Sequence, residues 1–106
     1  MKFENANVLI TGGASGIGKI MGRMALERGA KRFIIWDINL TGIEQTRKEL
    51  SSYGKVKGYV VNVADNDIVT AAYRKTVEDC GPIDILINCA GIVTSNKTFD
   101  QQTTEE

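Results

Sequence analysis

Residues 11–18 form a glycine-rich segment that directly follows an apolar run at residues 8–10 and opens a stretch with helical periodicity. The segment has the pattern T-G-x-x-x-G-x-G. Glycines between a strand and a helix allow a tight turn and let the backbone approach a pyrophosphate, which binds the free N–H groups at the positive end of the helix. A purely structural glycine turn has the same letters. The segment therefore predicts a strand–turn–helix unit, with a phosphate-bearing ligand as its functional interpretation.

An acidic residue stands where a dinucleotide would need one. Asp37 ends the next apolar run, at residues 33–36. A carboxylate about 20 positions after a glycine turn accepts hydrogen bonds from the adenosine ribose of a bound dinucleotide. A solvated aspartate at a strand end is the structural alternative. The joint occurrence of the turn and the acid favours the ribose role.

Four apolar runs, at residues 8–10, 33–36, 59–61 and 85–87, predict four strands. Because the runs are continuous rather than alternating, we expect strands that are buried on both faces, as in a parallel sheet covered by helices. The stretches between them have helical periodicity, so the element order is βαβαβαβ. These features predict an α/β fold of the Rossmann type, a doubly wound parallel sheet with strand order 3-2-1-4.

Each predicted helix has an apolar face and recognisable ends. The first covers residues 16–28 and ends at Gly29. Its expected buried face consists of Ile17, Ile20, Met21, Met24 and Ala25. The second begins with a capping box of Thr41 and Glu44 and ends at Gly54. Its expected buried face consists of Ile43, Thr46 and Leu50.

The third predicted helix precedes strand 4. Asp65 or Asp67 is expected to cap its start, and Gly81-Pro82 closes it. Its expected buried face consists of Ile68, Ala72 and Val77.

Ligands of doubly wound sheets bind where the strand order reverses, which here lies between strands 1 and 4. The glycine turn after strand 1 and residues 88–91 after strand 4 are then expected to flank the same crevice. Two segments that are distant in sequence but meet at one crevice support a ligand site more strongly than either does alone.

Two further segments complete a family pattern. Residues 88–91 read Asn-Cys-Ala-Gly, and residues 62–63 read Asn-Val. With the glycine turn and Asp37 they resemble, in order, the landmarks of the short-chain dehydrogenase/reductase family, which has N-N-A-G after its fourth strand and Asp-Val after its third. Cys89 and Asn62 depart from that pattern. An amide still donates and accepts hydrogen bonds, so we expect the adenine contact at Asn62 to survive without a charge.

The resemblance covers nearly the whole chain and implies NAD as the cofactor. In its terms the glycine turn admits the pyrophosphate, Asp37 holds the adenosine ribose, residues 62–63 flank adenine and residues 88–91 lie beneath the nicotinamide ribose. The implied cofactor-binding residues are Gly12, Ser15, Gly16, Ile17, Gly18, Asp37, Ile38, Asn62, Val63, Asn88, Ala90 and Gly91. NAD is expected to be preferred over NADP, because Asp37 would face the 2′-phosphate of NADP, and Ser15 stands where NADP-binding members often have Arg or Lys.

The resemblance also implies that the catalytic Ser, Tyr and Lys lie beyond residue 106. Residues 103–106, Thr-Thr-Glu-Glu, have the features of a helix start, at the place where the fourth helix of the family begins. We therefore expect residues 1–106 to be the NAD-binding half of a larger oxidoreductase that transfers hydride between NAD and an alcohol or ketone. Alone, they should be inactive. Tyr53 and Lys57 match the catalytic letters Y-x-x-x-K, but Gly54 lies where a helix ends, so the two are not expected to share a helix face.

Composition limits the partners. A formal net charge of zero without a basic patch argues against nucleic acid. A polar N-terminus and the lack of an apolar run of about 18 residues argue against a signal peptide or a membrane span, so we expect a cytoplasmic protein.

With no His, Cys80 and Cys89 are expected to be buried thiols rather than metal ligands. Strand 4 is expected to have a free edge with little charge, which predicts a homo-oligomer through that edge.

Two other classes of function remain open from the sequence. A nonenzymatic NAD-sensing module would be favoured by a gene that ends at residue 106. A methyltransferase half also has a glycine turn after strand 1 and an acid after strand 2, although the long turn and residues 88–91 suit a dinucleotide better. Parallel titrations of NADH and S-adenosylmethionine would discriminate a dinucleotide site from a methyltransferase site.

Overall fold

Four strands and three helices alternate along residues 2–89, the part of the chain that the computed structural model describes. The strands are β1 (Asn7–Thr11), β2 (Arg32–Asp37), β3 (Val56–Val60) and β4 (Ile85–Asn88). The helices are α1 (Gly16–Glu27), α2 (Leu40–Leu50) and α3 (Asn66–Cys80). The predicted element order is confirmed, whereas the helix start predicted at residues 103–106 lies outside the described residues. None of these three helices has the length and apolar character needed to cross a bilayer.

All four strands run parallel, in the order β3-β2-β1-β4. Val8 in β1 pairs with Phe33 in β2 on one side and with Ile85 in β4 on the other. The predicted doubly wound topology is therefore confirmed, and the strand order reverses between β1 and β4. Because the strands are parallel, the segments that follow all four of them lie at the same edge of the sheet, where such folds bind their ligands.

Helices cover both faces of the sheet and create two apolar layers. Helices α1 and α2 pack on one face, where the buried residues include Val8, Ile10, Ala25, Leu26, Phe33, Ile35, Ile43 and Leu50. Among the described helices, α3 alone packs on the other face, where its residue Cys80 is buried with Leu9, Ile34, Trp36 and Val61. The second face is therefore less completely covered than the first.

Burial on both faces is limited to the two central strands. β1 is buried along its whole length and β2 through its centre, whereas β3 and β4 are partly exposed. Leu86 in β4 remains 62% exposed. The prediction was wrong for the outer strands because each of them has only one neighbour within residues 2–89. β3 also begins earlier than residue 59, since Lys57 can stay in solvent on such an edge strand.

Helix α1 approaches the sheet through its smallest residues rather than through its predicted apolar face. Its buried residues are Gly18, Gly22, Ala25 and Leu26. Three residues of the predicted face are exposed instead, namely Ile17, Ile20 and Met24. A Cβ at Gly22 would overlap the ring of Phe33 in β2, so only glycine lets the helix come this close. Hydrophobic periodicity cannot detect such a face, because glycine adds no apolar side chain to the pattern.

The ends of α1 and α3 agree with the predictions. Gly29, with φ 91°, directly follows the C-cap of α1. Of the two possible caps of α3, the residue that serves is Asp65, whose Oδ1 accepts hydrogen bonds from the backbone N–H groups of Asp67 and Ile68 at 3.0 and 3.1 Å. These two bonds satisfy donors that the first helical turn leaves open.

The predicted capping box of α2 is wrong. Asn39 caps this helix, because its Oδ1 accepts a hydrogen bond from the N–H of Gly42 at 3.0 Å. The helix therefore begins before Thr41, and the side chain of Glu44 pairs with Arg47 instead of reaching back to the helix start. The face predicted for α2 is correct, since Ile43, Thr46 and Leu50 are its buried residues.

The rotation of α3 also differs from the prediction. Ile68 is 42% exposed, and the buried residues of the helix are Thr76 and Cys80. The indole Nε1 of Trp36 donates a hydrogen bond to Oγ1 of Thr76 at 3.1 Å, and that hydroxyl donates to the carbonyl of Ala72 at 2.7 Å. Thr76, with its hydroxyl fully hydrogen-bonded, thus lies at the centre of the interface between α3 and the sheet. A search for apolar residues at helical spacing does not predict a threonine there.

We expect Gly22→Ala to lower the free energy of unfolding by about 1–3 kcal/mol, because the added methyl group overlaps the ring of Phe33. Urea unfolding measures this change. In a Phe33→Leu background the same substitution should cost less, since the smaller side chain leaves room. An unchanged or increased stability of Gly22→Ala, as helix propensity alone would give, would contradict this account.

Candidate functional site

The turn between β1 and α1 depends on glycine for two different reasons. Gly12 and Gly16 have φ angles of 73° and 40°, in the left-handed region that side chains disfavour. Nothing lies within 4 Å of the position that a Cβ on Gly16 would take, so the turn faces open space there. A Cβ on Gly18 would instead overlap the carbonyl oxygen of Gly12. The predicted glycines therefore shape an open cradle and let the helix start directly against it.

The N-terminus of α1 differs from those of the other two helices. The caps of α2 and α3, Asn39 and Asp65, accept hydrogen bonds from backbone N–H groups of their helices. Ser15, the cap of α1, makes no such bond, and its hydroxyl donates to the carbonyl of Gly12 at 3.5 Å. The first turn of α1 also has no acidic residue. Its N–H groups and the positive end of its dipole are therefore available to an anion.

Asp37 ends β2 beside this turn. Its Oδ2 accepts a hydrogen bond from the backbone N–H of Ala14 at 3.1 Å, and its Oδ1 accepts one from the N–H of Asn39 at 3.1 Å. The glycine turn therefore fixes the orientation of the carboxylate. Each oxygen keeps capacity for a further donor such as a ribose hydroxyl. No ion pair within residues 2–89 includes Asp37, so its negative charge is not offset by a neighbouring cation. Ile38, the next residue, is 70% exposed.

The segment after β3 lies next to Asp37. Val61 donates its backbone N–H to the carbonyl of Asp37 at 2.9 Å, which holds the end of β3 against the end of β2. Asn62 follows, and its Oδ1 accepts a hydrogen bond from the N–H of Ala64 at 3.0 Å. Val63 is 39% exposed and contributes to the groove described below. The structure thus brings residues 62–63 to the same edge as the glycine turn.

The ends of β1 and β4 are joined through one threonine. Thr11 donates its hydroxyl to Oδ1 of Asn88 at 2.7 Å. The backbone N–H of Cys89 donates to the carbonyl and to the hydroxyl oxygen of Thr11, at 3.0 and 3.1 Å. The glycine turn and Asn88 therefore flank one crevice, as expected from the strand order. Ala90 and Gly91, the other two predicted residues of this segment, lie outside the described residues.

Cys89 serves the packing of the site rather than its chemistry. It is buried, and its Sγ lies 3.9 Å from Sδ of Met21 in α1. Burial raises the pKa of the Cys89 thiol, so the side chain stays protonated and unreactive at neutral pH. The prediction of buried thiols is confirmed for Cys80 as well.

A groove of about 660 Å³ runs between α3 and β4 on the less covered face of the sheet. Its floor and walls include apolar residues of β1, β2, β4 and α3. At the carboxyl edge of the sheet the groove is lined by Thr11, Val63, Asn66 and Asn88. One end of this apolar groove therefore lies at the same edge of the sheet as the glycine turn and Asp37.

Tyr53 and Lys57 do not form a catalytic pair. Arg23 of α1 lies over the ring of Tyr53, at 4.8 Å from the ring centre. Lys57 belongs to β3, and its Nζ lies 5.7 Å from the ring centre of Tyr59. The expectation that Tyr53 and Lys57 do not share a helix face is confirmed, because α2 ends before Tyr53.

Thr11 and Ala14 take part in the site although the sequence pattern predicts no role for either. Thr11 bridges the ends of β1 and β4, and Ala14 donates its N–H to Asp37. The carbonyl of Ala14 also accepts a weak hydrogen bond from the hydroxyl of Thr46 in α2, at 3.4 Å. The role of Thr11 could be anticipated from the sequence, because a threonine at a strand end carries a hydroxyl that can bond to a neighbouring strand end. The role of Ala14 has no such signal, because it uses backbone atoms only.

Comparison with known proteins agrees with this geometry. The family model for short chain dehydrogenases matches residues 6–106. The 3-oxoacyl-(acyl-carrier-protein) reductase FabG of Thermotoga maritima is 41% identical over 93 residues, which is 87% of this chain and 37% of that protein. The chain thus spans well under half the length of this relative.

Two solved structures have the same fold. A short chain dehydrogenase from Mycobacterium smegmatis superposes with a TM-score of 0.79 and 30% identity, over 94% of this chain and 45% of that one. An NAD⁺-bound xylitol dehydrogenase superposes with a TM-score of 0.76 and 25% identity, over 81% of this chain and 33% of that one.

Proposed function

This chain belongs to the short chain dehydrogenase family, and from that membership we propose that residues 1–106 form the NAD-binding part of an oxidoreductase. The observation that carries the proposal is the start of α1, which has no side-chain cap, opens to solvent at Gly16 and lies beside Asp37. A helix start of this kind favours a phosphate anion, and an adjacent carboxylate favours ribose hydroxyls. A dinucleotide carries both groups in this order.

The proposed contacts follow the edge of the sheet. The pyrophosphate lies against the turn, with contributions from Gly12, Ser15, Gly16, Ile17 and Gly18. The adenosine ribose hydrogen-bonds to Asp37 next to Ile38, and adenine lies beside Asn62 and Val63. The nicotinamide ribose lies over Asn88, Ala90 and Gly91. In this arrangement these residues bind and orient the cofactor.

Members of this family use nicotinamide cofactors, and one structural neighbour is bound to NAD⁺. When bound, NAD supplies the hydride acceptor and NADH the hydride donor. The whole protein would then interconvert an alcohol and a ketone. We also propose a cytoplasmic location for it.

The direct test is a calorimetric titration of the 106-residue chain with NADH and, separately, with S-adenosylmethionine. We expect NADH to bind and S-adenosylmethionine not to bind. The open turn at Gly16 suits a pyrophosphate, and S-adenosylmethionine has none. Binding of S-adenosylmethionine alone would replace the dehydrogenase interpretation with the methyltransferase alternative.

We expect NAD⁺ to bind at least about tenfold more tightly than NADP⁺, because the 2′-phosphate of NADP⁺ meets the uncompensated charge of Asp37. Asp37→Ser should reduce this ratio severalfold by removing the repulsion. The dissociation constants of both cofactors, measured for both proteins, give the ratio.

A charge-matched control separates this local effect from net charge. Glu78→Ser removes one exposed carboxylate near the C-terminal end of α3. This end of the helix lies at the edge of the sheet away from Asp37, where the carbonyl of Cys80 accepts a hydrogen bond from the side chain of Asn7. The cofactor ratio of this variant should equal that of the wild type. Equal or tighter binding of NADP⁺ by the wild type would overturn the role given to Asp37.

The 106-residue chain alone should show no dehydrogenase turnover. Tyr53 lies beneath Arg23, whereas Lys57 lies over the ring of Tyr59, whose hydroxyl donates to Asp79. Tyr53 and Lys57 are therefore not paired to exchange a proton with a substrate oxygen. General acid–base catalysis contributes about 10²–10⁴ in rate. NADH formation from alcohols, followed by absorbance on protein of verified mass, measures turnover. Robust alcohol oxidation that Tyr53→Phe abolishes would contradict this expectation.

We also propose that the chain self-associates through β4. Within residues 2–89 this strand has no partner on its outer side, so its backbone groups can pair with another chain. Leu86 exposes an apolar side chain on the adjoining face. Asp84 just before the strand is the nearest charge that could discourage pairing. Two copies joined about a two-fold axis would place their β4 strands antiparallel.

Light scattering at micromolar concentration should show a dimer or larger oligomer. Leu86→Lys should shift it toward monomer, because the lysine places a charge on the apolar face beside the junction. Ile68→Lys, which adds the same charge on the exposed part of α3, should leave the mass unchanged. A monomeric wild type, or an oligomer indifferent to Leu86→Lys, would overturn this proposal.

A further inference from the structure

Ala14, in the glycine turn, is held from two sides. Its backbone N–H donates to Oδ2 of Asp37 at 3.1 Å, and its carbonyl accepts from the hydroxyl of Thr46 in α2 at 3.4 Å. Gly42, one turn before Thr46, also lies next to Ala14, since a Cβ on Gly42 would be 3.5 Å from the Cβ of Ala14. The turn therefore rests on α2 as well as on the end of β2.

The hydroxyl of Thr46 is used differently from those of two threonines in α3. Thr70 and Thr76 donate to the carbonyl four residues earlier in their own helix, at 3.0 and 2.7 Å. Thr46 is fully buried and donates to the turn instead. A buried hydroxyl needs a hydrogen-bond partner, and the carbonyl of Ala14 supplies it. At 3.4 Å the bond is long and weak, and Ala14 is only half-buried, so its loss should cost the fold little.

The contacts around Ala14 form a closed ring. The carboxylate of Asp37 accepts from the N–H groups of Ala14 and Asn39, and Asn39 in turn caps α2. The N–H and the carbonyl of Ala14 belong to the two rigid peptide planes on either side of its Cα, so a shift of one disturbs the other. In this ring Thr46 is the side chain that ties α2 to the turn.

From this ring we infer that Thr46 is a positioning residue of the cofactor site, which orients the carboxylate of Asp37 through Ala14. Thr46 is buried and offers no atom to a ligand. It acts by keeping the Ala14 N–H directed at Oδ2, so that the remaining lone pairs of the carboxylate keep fixed directions for ribose hydroxyls. The inference rests on the proposed function, because the adenosine ribose of NAD is the group that Asp37 would bind.

The first measurement concerns the free protein and needs no cofactor. Thr46→Val replaces the hydroxyl by a methyl group of similar size. Exchange of the Ala14 amide with water, followed by NMR on ¹⁵N-labelled protein, should become at least about threefold faster, because the bond to Asp37 loosens. Thr46→Ser keeps a hydroxyl and should retain the wild-type rate. Thr76→Val removes an equally buried hydroxyl from the other face of the sheet and should leave the rate unchanged.

The second measurement is a double-mutant cycle on the dissociation constant of NAD⁺. Thr46→Val should weaken binding about threefold to tenfold, the size of one neutral hydrogen bond. In an Asp37→Ala background the same substitution should change the constant less than about twofold, because the group through which Thr46 acts is gone. Thr76→Val should lower the thermal stability at least as much as Thr46→Val does, and it should leave NAD⁺ binding unchanged.

The outcomes separate positioning from a general loss of structure. An unchanged Ala14 exchange rate in Thr46→Val would overturn the inference, and so would failure of Thr46→Ser to retain that rate. Equal losses of NAD⁺ affinity in both backgrounds would overturn it as well, since they would show an effect that bypasses Asp37. Failure of the wild type to bind NAD⁺ would overturn the proposed function, whereas the amide exchange would still decide whether Thr46 holds Ala14.

Discussion

The close approach of α1 to the sheet is the constraint on which the rest of the site depends. Gly18 and Gly22 leave no room for a Cβ against Gly12 and Phe33, so the helix packs backbone to sheet at its first two turns. This contact fixes the direction and position of the N-terminus of α1. The same helix end lacks a side-chain cap, and its donors therefore point into the open space at Gly16. Gly18 and Gly22 thus serve the packing of the helix, whereas Gly16 leaves the other side of the turn open.

Hydrogen bonds between strand ends assemble the remainder of the site. Asp37 is held by the N–H of Ala14, and Asn88 is held by the hydroxyl of Thr11. Both partners belong to the β1 end or the turn after it, so the central strand organises the strands on either side. Polar groups that bind a ligand need such preorganisation, because a carboxylate or amide that is already oriented loses less freedom when the ligand arrives.

Two side chains on this edge would offer a bound dinucleotide different interactions. Asp37 contributes a charge that no ion pair within residues 2–89 offsets, and in the proposed arrangement this charge faces the ribose 2′ position. Asn62 contributes a neutral amide whose Oδ1 accepts a hydrogen bond from the N–H of Ala64, and in the proposed arrangement it lies beside adenine. The first effect is long-range and depends on salt, whereas the second depends on the direction of a single hydrogen bond.

The sequence by itself determined the element order, the parallel topology, the glycine turn and the position of Asp37 at a strand end. It also identified Asp65 as one of two candidate N-caps of α3. These features are local patterns, in which residue type and spacing dictate backbone conformation. Only the tertiary structure decided which faces of α1 and α3 are buried, because glycines and Thr76 contact residues far away in the chain. It likewise decided that Thr11 joins Asn88, since this bond depends on which distant residues the fold places within hydrogen-bond distance.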